Sequence, residues 1–428
     1  MTDPDNPGDQ QQLTHNQVNL ARALREVRRR GVAIGEHIRD VTGLGVSRTN
    51  VLVHALGDAG LVAVGGQPRV SKQEAITLRG EAGCVVGVDM TLDQVTVAVG
   101  NLEYELLNDP SRATRQVPID DWKGTLDVIA ESVVTQLRLM TSPHELMGVG
   151  LGLPGPVQRG TGSPESDHLL SGWKGVPVAA EMRQRLIAAG RSDARVVVGN
   201  DASCGALGVL TRAIWANPAE APEDLVYVRV THGVGMGLVI KGHLVTGADG
   251  FAGEIGHVRV DAYGPICTRC GRRGCLEVMA SEKVVIDILR GHNWHESRKG
   301  PNVAADVAAA KDARTRDEVG KTGWWVGFAF AGVANVLNPA WIVLGGTLTE
   351  LPAFREHFEE ALSAYSLPQA FERLRVSSWD SIFDDQFSND RPRDVGRNLT
   401  PELLGAMAFV IDEFGDEFLR PKVLEVTM

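Results

Sequence analysis

No run of 18 apolar residues occurs in this chain, so no segment of it is built to cross a membrane as a helix. Residues Met1 to Gln12 lack the apolar stretch of a secretion signal and are polar and acidic. They read as a disordered tail, and the expected location is the cytoplasm. Positive charge is also in short supply. Lys and Arg number 43 against 54 Asp and Glu, a net charge of −11, which excludes a protein that binds nucleic acid over its whole surface. Cysteine is scarce as well, at five residues. Three of the five, Cys267, Cys270 and Cys275, are crowded together, which in a reducing compartment points to a metal site rather than a disulfide framework.

What the chain does have is glycine, 48 residues against 20 prolines, which favours an α/β protein with tight turns and close backbone approaches. An apolar fraction of 43% with 23% charged residues supports a full core, and 428 residues suggest two or three domains. The charge is uneven. Residues 1–80 carry 10 Lys and Arg against 8 Asp and Glu, the remainder 33 against 46. A mildly basic head on an acidic body suits a DNA-binding module attached to something else.

The head, 13–80, is legible in its spacing. Val18, Ala21, Leu24 and Val27 recur at three-residue steps, joined by Leu20, so Thr14 to Arg30 reads as a helix closed by Gly31. Ile34 to Val41 is a second helix, broken by Gly43. Ser47 is placed to cap a third, Arg48 to Leu56, stopped by Gly60. Leu61 to Val64 is a strand, and Gly65 to Arg69 a turn with a basic tip. That order is a winged helix-turn-helix. Ser47, Arg48, Thr49 and Asn50 then stand where a recognition helix meets base edges, since Arg reads guanine and Asn reads adenine. Arg69 and Lys72 are placed for phosphate, with His15 or Asn16 as further contacts. The alternative is a small helical subdomain used for oligomerisation.

The body alternates strands and helices. Gly83 to Val99 patterns as a hairpin, followed by strands at Met147–Leu153, Arg195–Val198 and Leu225–Val230. A glycine-rich turn, Gly233 to Gly237, leads to another strand. Trp324 to Leu337 is a buried helix, and Trp341 to Leu344 a strand. The hairpin units after Val88 and Val230 suggest an internal duplication, with two lobes facing across a cleft. Ile382 to Asn398 reads as a long surface loop.

Five segments carry a resemblance: Gly152–Val157, Gly172-Trp173, Asn200-Asp201-Ala202, Gly250–His257 and Cys270–Glu277. Together they resemble the ROK family, named for repressors, open reading frames and kinases. The resemblance implies the two-lobed, actin-like, ribonuclease-H-like fold of sugar kinases, here behind a winged head. It places the first lobe over 81–200 and the second over 201–428, with the C-terminal helix free to return to the first lobe.

His257, Cys267, Cys270 and Cys275 give the pattern H-x9-C-x2-C-x4-C. One imidazole and three thiolates close a tetrahedral shell with no position left for water, the arrangement of structural zinc. The alternative is three unpaired buried cysteines. Where the family usually has Cys-x-Cys, this chain has Cys267-Thr268-Arg269-Cys270.

By similarity to the family, Asn200, Asp201, Glu254, His257 and Glu277 line a sugar pocket, and Asp201 matches the general base of the family's kinases. The ATP loop of those kinases, Asp-x-Gly-Gly-Thr, reads here as Asp89-Met90-Thr91-Leu92-Asp93. Both glycines that let backbone amides approach phosphate are gone. The expectation is therefore a sugar-responsive regulator, not an enzyme: a zinc-bearing homodimer or homotetramer whose paired heads bind a double-stranded operator. The alternatives are an ATP-dependent sugar kinase that retains a DNA-binding head, and a DNA-binding regulator with a vestigial pocket.

Overall fold

The computed structural model describes residues 14–65, 74–140, 144–165, 169–192, 194–290, 313–382 and 399–426. The N-terminal tail, Arg69, Lys72 and nearly all of the loop expected at 382–398 lie outside them.

The head begins with α1 (His15–Arg30), where Thr14 and Gln17 exchange capping hydrogen bonds and Gly31 ends the helix at φ 67°. Next come β1 (Val32–Ala33), α2 (Gly35–Thr42), α3 (Val46–Asp58), β2 (Val62–Val64) and β3 (Ile76–Leu78). β3 lies between β1 and β2, antiparallel to both, which completes a winged helix-turn-helix. Two expectations for α3 need correction. The helix starts at Val46 on an extended Gly45, so Ser47 sits inside its first turn and does not cap it. Thr49 is buried, with Oγ1 donating to the Gly45 carbonyl at 3.2 Å. It shares its face with Leu52, Val53 and Leu56, at the spacing that turns a helix face inward.

The body is built from two sheets of matching topology. The first comprises β4 (Cys84–Met90), β5 (Gln94–Asn101), β6 (Thr114–Gln116), β7 (Leu146–Leu153) and β8 (Val196–Asn200), in the order β6-β5-β4-β7-β8. Helices α4 (Trp122–Leu139) and α5 (Val178–Ala188) connect these strands, and α6 (Asp201–Ala216) follows directly on β8. The second comprises β9 (Leu225–Val230), β10 (Val234–Ile240), β11 (His243–Leu244), β12 (Trp341–Gly345) and β13 (Arg375–Ser378), in the order β11-β10-β9-β12-β13. Its helices are α7 (Leu276–Ala280), α8 (Glu282–Arg290), α9 (Ala313–Leu337), α10 (Pro352–Tyr365), α11 (Pro368–Phe371) and the C-terminal α12 (Pro401–Leu424). In each sheet an antiparallel hairpin is extended by two parallel strands. The repeat suspected from the two hairpins is thus present at the level of whole sheets.

The helices that follow the two sheets are exchanged. α6 packs on β9 and β10 of the second sheet, while α12 packs on β4 and β7 of the first. The two helices cross at glycine. A Cβ on Gly405 would lie 1.6 Å from the Cys204 carbonyl oxygen, and one on Gly208 would lie 2.0 Å from that of Pro401. The run Gly233 to Gly237, expected as a turn, is a third correction. The turn is confined to 231–233, and the later glycines belong to β10. They are needed for helix approach, since a Cβ on Gly237 would sit 2.1 Å from the Ala202 carbonyl oxygen of α6.

One apolar core is continuous from the head into the body, joining Leu20, Leu24, Leu52 and Leu56 to Leu210, Trp215, Leu404 and Met407. Polar contacts reinforce the joint. Arg28 of α1 donates to the Ile411 and Asp412 carbonyls at 3.0 and 2.6 Å and pairs with Asp416 at 3.1 Å. Arg25 pairs with the same Asp416 at 2.9 Å. No helix among the described residues is long and apolar enough to cross a membrane.

Candidate functional site

Strand ends from both sheets converge on a cleft of about 580 Å³, a volume suited to a small polar ligand. β8 runs into α6 at Asn200-Asp201. Asn200 caps α6, accepting from Ser203 N at 3.0 Å, and its Nδ2 donates to the Gly155 carbonyl at 2.9 Å. It is therefore both a helix cap and part of the cleft wall. Asp201 is buried, accepting from Ala202 N at 2.7 Å on one oxygen and from Arg229 Nη1 at 2.5 Å on the other.

Arg229, at the end of β9, was not singled out in the sequence, yet it organises this wall. Its Nε donates to Glu402 Oε1 at 2.9 Å, and the Tyr227 hydroxyl donates to the same oxygen at 2.7 Å. Asp89, at the end of β4, completes the group. Burial, then the Glu402 carboxylate, push the Asp89 carboxyl up to about 7, against the opposing pull of Arg229. Its Oδ1 has no hydrogen-bond partner among the described residues. Three carboxyl groups from β4, α6 and α12 thus surround one guanidinium.

The opposite wall comes from the loop after β11. Gly253, at φ 94°, brings that loop against β10, where a Cβ would lie 1.9 Å from the Met236 carbonyl oxygen. This places Glu254 and His257 at the cleft. Burial, then the neighbouring Asp201 and Glu277 carboxylates, raise the Glu254 carboxyl to about 7. Glu277 opens α7, buried, with Arg269 Nη1 at 2.5 Å from its Oε2. Arg269 is a second lining residue that the sequence reading passed over. The five residues assigned to a sugar pocket by resemblance, Asn200, Asp201, Glu254, His257 and Glu277, all line this one cleft.

Behind it, His257, Cys267, Cys270 and Cys275 each offer a ligand atom, all within 4.8 Å of one another. His257 Nδ1 is 3.8 Å from Cys267 Sγ, and Cys270 and Cys275 sulfurs are 3.4 Å apart. Two thiolates on a tetrahedral zinc sit about 3.8 Å apart, so the donor set fits that ion. Gly274, at φ 66°, makes the loop possible, since a Cβ there would lie 1.6 Å from the Asp261 carbonyl oxygen. Nδ1 faces the cysteines while Nε2 lies 4.0 Å from Glu254, so the imidazole bridges the cluster and the cleft.

The loop between β4 and β5 is closed on itself. Thr91 N donates to the Gln94 carbonyl at 2.9 Å, Gln94 N donates to Thr91 Oγ1 at 3.2 Å, and Thr91 Oγ1 donates to Asp93 Oδ1 at 2.8 Å. In the head, Ser47, Arg48 and Asn50 are exposed on α3 beside Val46, Val51 and His54.

Comparison with known proteins agrees with this geometry. The family model described as "ROK family" matches residues 85–381. The xylose repressor of Bacillus subtilis (strain 168) is 25% identical over 408 residues, covering 93% of this chain and 96% of that protein. A glucokinase of Halalkalibacterium halodurans is 32% identical over 246 residues, covering 53% of this chain and 70% of its own length. Among solved structures, a ROK family transcriptional regulator described as a homologue of the Escherichia coli Mlc protein covers 96% of this chain and all of its own, with a TM-score of 0.70 at 20% identity.

Proposed function

Because the chain belongs to the ROK family, we propose that it is a DNA-binding transcriptional repressor whose operator affinity is set by a monosaccharide held in the interlobe cleft. The observation that carries this reading is the joining, in one chain, of a winged helix-turn-helix to a polar cleft of sugar size. On this reading 13–80 is the DNA-binding domain, 81–200 the first lobe and 201–428 the second, and paired heads of a homodimer or homotetramer meet a pseudo-palindromic operator. Ser47, Arg48 and Asn50 of α3 read base edges, and Arg69 and Lys72 hold phosphate. Asn200, Asp201, Glu254, His257 and Glu277 face the sugar, whose hydroxyls suit carboxylate and carboxamide partners. His257, Cys267, Cys270 and Cys275 would hold a structural zinc. When bound, that ion fixes the loop and the orientation of His257 and supplies no reactive position.

A kinase reading is disfavoured by a particular contact. Asp201, the position matching the family's base, already accepts from Ala202 N and Arg229. Burial first raises the Asp201 carboxyl, with Arg229 opposing it, so the contact takes up acceptor positions rather than basicity. The 89–93 segment also lacks both glycines of the family kinases' phosphate loop, which supports the same reading. The test is to select genomic DNA fragments on the purified full chain, and separately to incubate it with sugars and ATP. Enriched fragments sharing a two-fold motif, with no sugar phosphate formed, support the repressor. ATP-dependent phosphorylation would make it a kinase with a DNA-binding head.

A further inference from the structure

Helix α3 turns its valines in two directions. Val53 is 7% exposed and packs with Leu52 and Leu56 in the core of the head. Val46 and Val51 are 59% and 55% exposed. An exposed valine gains nothing from burial, and its branched Cβ makes it a poorer helix former than Ala, Lys or Glu. One such residue on a surface is ordinary. Two on the outward face of one short helix call for a partner that buries them.

Spacing defines what stands beside them. Val46, Asn50 and His54 follow at four-residue steps and form one row along the outward face. Ser47 and Val51 form the adjacent row at the same step. All five are exposed, while Thr49, Leu52, Val53 and Leu56 form the opposite, buried face. Asn50 therefore stands with Val46 one turn before it and Val51 next to it in the chain. This face carries little charge. Arg48 is the one Lys or Arg between Val46 and Asp58. On α1, Arg25 and Arg28 are held by Asp416, and Arg29 and Arg30 by Glu26, so much of the positive charge of that helix is compensated. What α3 presents is chiefly amide, hydroxyl and methyl.

The major groove of a duplex offers a match. Each thymine places a C5 methyl there, and cytosine, adenine and guanine place none. An asparagine amide matches adenine, so a helix that reads adenine with Asn50 meets A·T pairs and their methyl groups.

We propose that Val46 and Val51 pack on thymine methyl groups in the major groove, so that each half-site carries A·T pairs within about two base-pair steps of the adenine read by Asn50. The inference rests on the reading of the head as a DNA-binding domain. It makes the two valines specificity residues that tell thymine from cytosine by a methyl, where Arg48 and Asn50 act by hydrogen bonds.

The test uses the full-length protein and the duplex selected on it, with binding followed by fluorescence anisotropy. Thymines of one half-site are replaced singly by deoxyuridine, which pairs in the same way and lacks only the methyl. At the contacted positions the replacement weakens binding about fourfold. Val46→Ala and Val51→Ala each weaken binding to the thymine duplex by a similar factor, and each removes the distinction between thymine and uracil at its own position. Alanine favours the helix, so Tm is maintained in both variants. Arg48→Ala, in contrast, weakens binding to thymine and uracil duplexes alike. A sequence-specific complex indifferent to uracil at every position overturns the inference and leaves the DNA-binding head standing. A uracil effect that both valine variants retain also overturns it, since another group then reads the methyl. Sedimentation of the free variants addresses the other occupant. A change of oligomeric state in Val46→Ala or Val51→Ala makes the valines a contact between copies of the chain and overturns the inference. Absence of any sequence-specific complex overturns both the inference and the DNA-binding reading.

Discussion

Arg229 is the residue on which the cleft wall depends. Its neighbours Asp201, Glu402 and Asp89 are all buried, and its own side chain is 12% exposed. Removing the guanidinium leaves carboxylates facing one another without compensation. Arg229→Met should therefore destabilise the fold by about 3–5 kcal/mol in urea unfolding. Adding Asp201→Asn should recover part of that loss. Asp89 supplies a pH signature. Its carboxyl is raised from 3.8 to about 7, so across that interval the folded state holds a proton that the unfolded chain has released. The stability contributed by this group is complete below pH 3.8, falls as pH rises toward 7, and is flat above. Asp89→Asn should flatten the decline, seen as a smaller fall in Tm between pH 5 and pH 8 than in the unsubstituted chain.

Sequence and structure diverge at this scale for a physical reason. His257 and the three cysteines were legible because their ligand spacing is local. The Arg229–Glu402 pair spans 173 residues, and no local pattern announces it. Arg269 carried a signal, an extra residue between two metal ligands, whose consequence depends on which way a side chain turns.

At the scale of elements, α3 separates the exposed side chains proposed to reach DNA from those that hold the helix in place. Arg48→Ala and Asn50→Ala should each weaken specific operator binding by about 1–3 kcal/mol in fluorescence anisotropy, with little change in Tm. Thr49→Asn should do the reverse, lowering Tm by crowding the packed face. The start of α3 was misread because Ser47 has the chemistry of a cap, whereas Gly45 reaches extended geometry two residues earlier. β1 and β3 went unseen because two or three residues are too short to show alternation. The metal loop is an element in its own right. If the cluster holds zinc as proposed, its chelation, or Cys275→Ser, should lower Tm by about 5 °C or more and reduce sugar affinity together, because His257 both belongs to the cluster and lines the cleft.

At the scale of the whole molecule, one helix touches both ends of the account. α12 begins at the cleft, where Glu402 meets Arg229, and passes the head at Asp412 and Asp416, where Arg28 and Arg25 hold α1. A ligand that repositions Arg229 acts on the start of this helix, and a shift of α12 acts on α1. Coupling through such a contact is a free-energy difference between two arrangements and is measured by cutting it. Arg28→Ala should preserve sugar binding and diminish the effect of sugar on DNA affinity. The layout that makes this possible, two repeated sheets with exchanged helices, was legible only in part. The hairpins showed the repeat, but the exchange of α6 and α12 rests on Gly208 and Gly405, which in sequence look like any helical glycines.

The most direct test of the account is the affinity of the full-length protein for its selected DNA fragment, measured by anisotropy as monosaccharides are titrated in. The account predicts a sequence-specific complex whose Kd changes about fivefold or more on saturation with one sugar, in the range usual for allosteric coupling. A complex that no monosaccharide alters, or the absence of any sequence-specific complex, would contradict it.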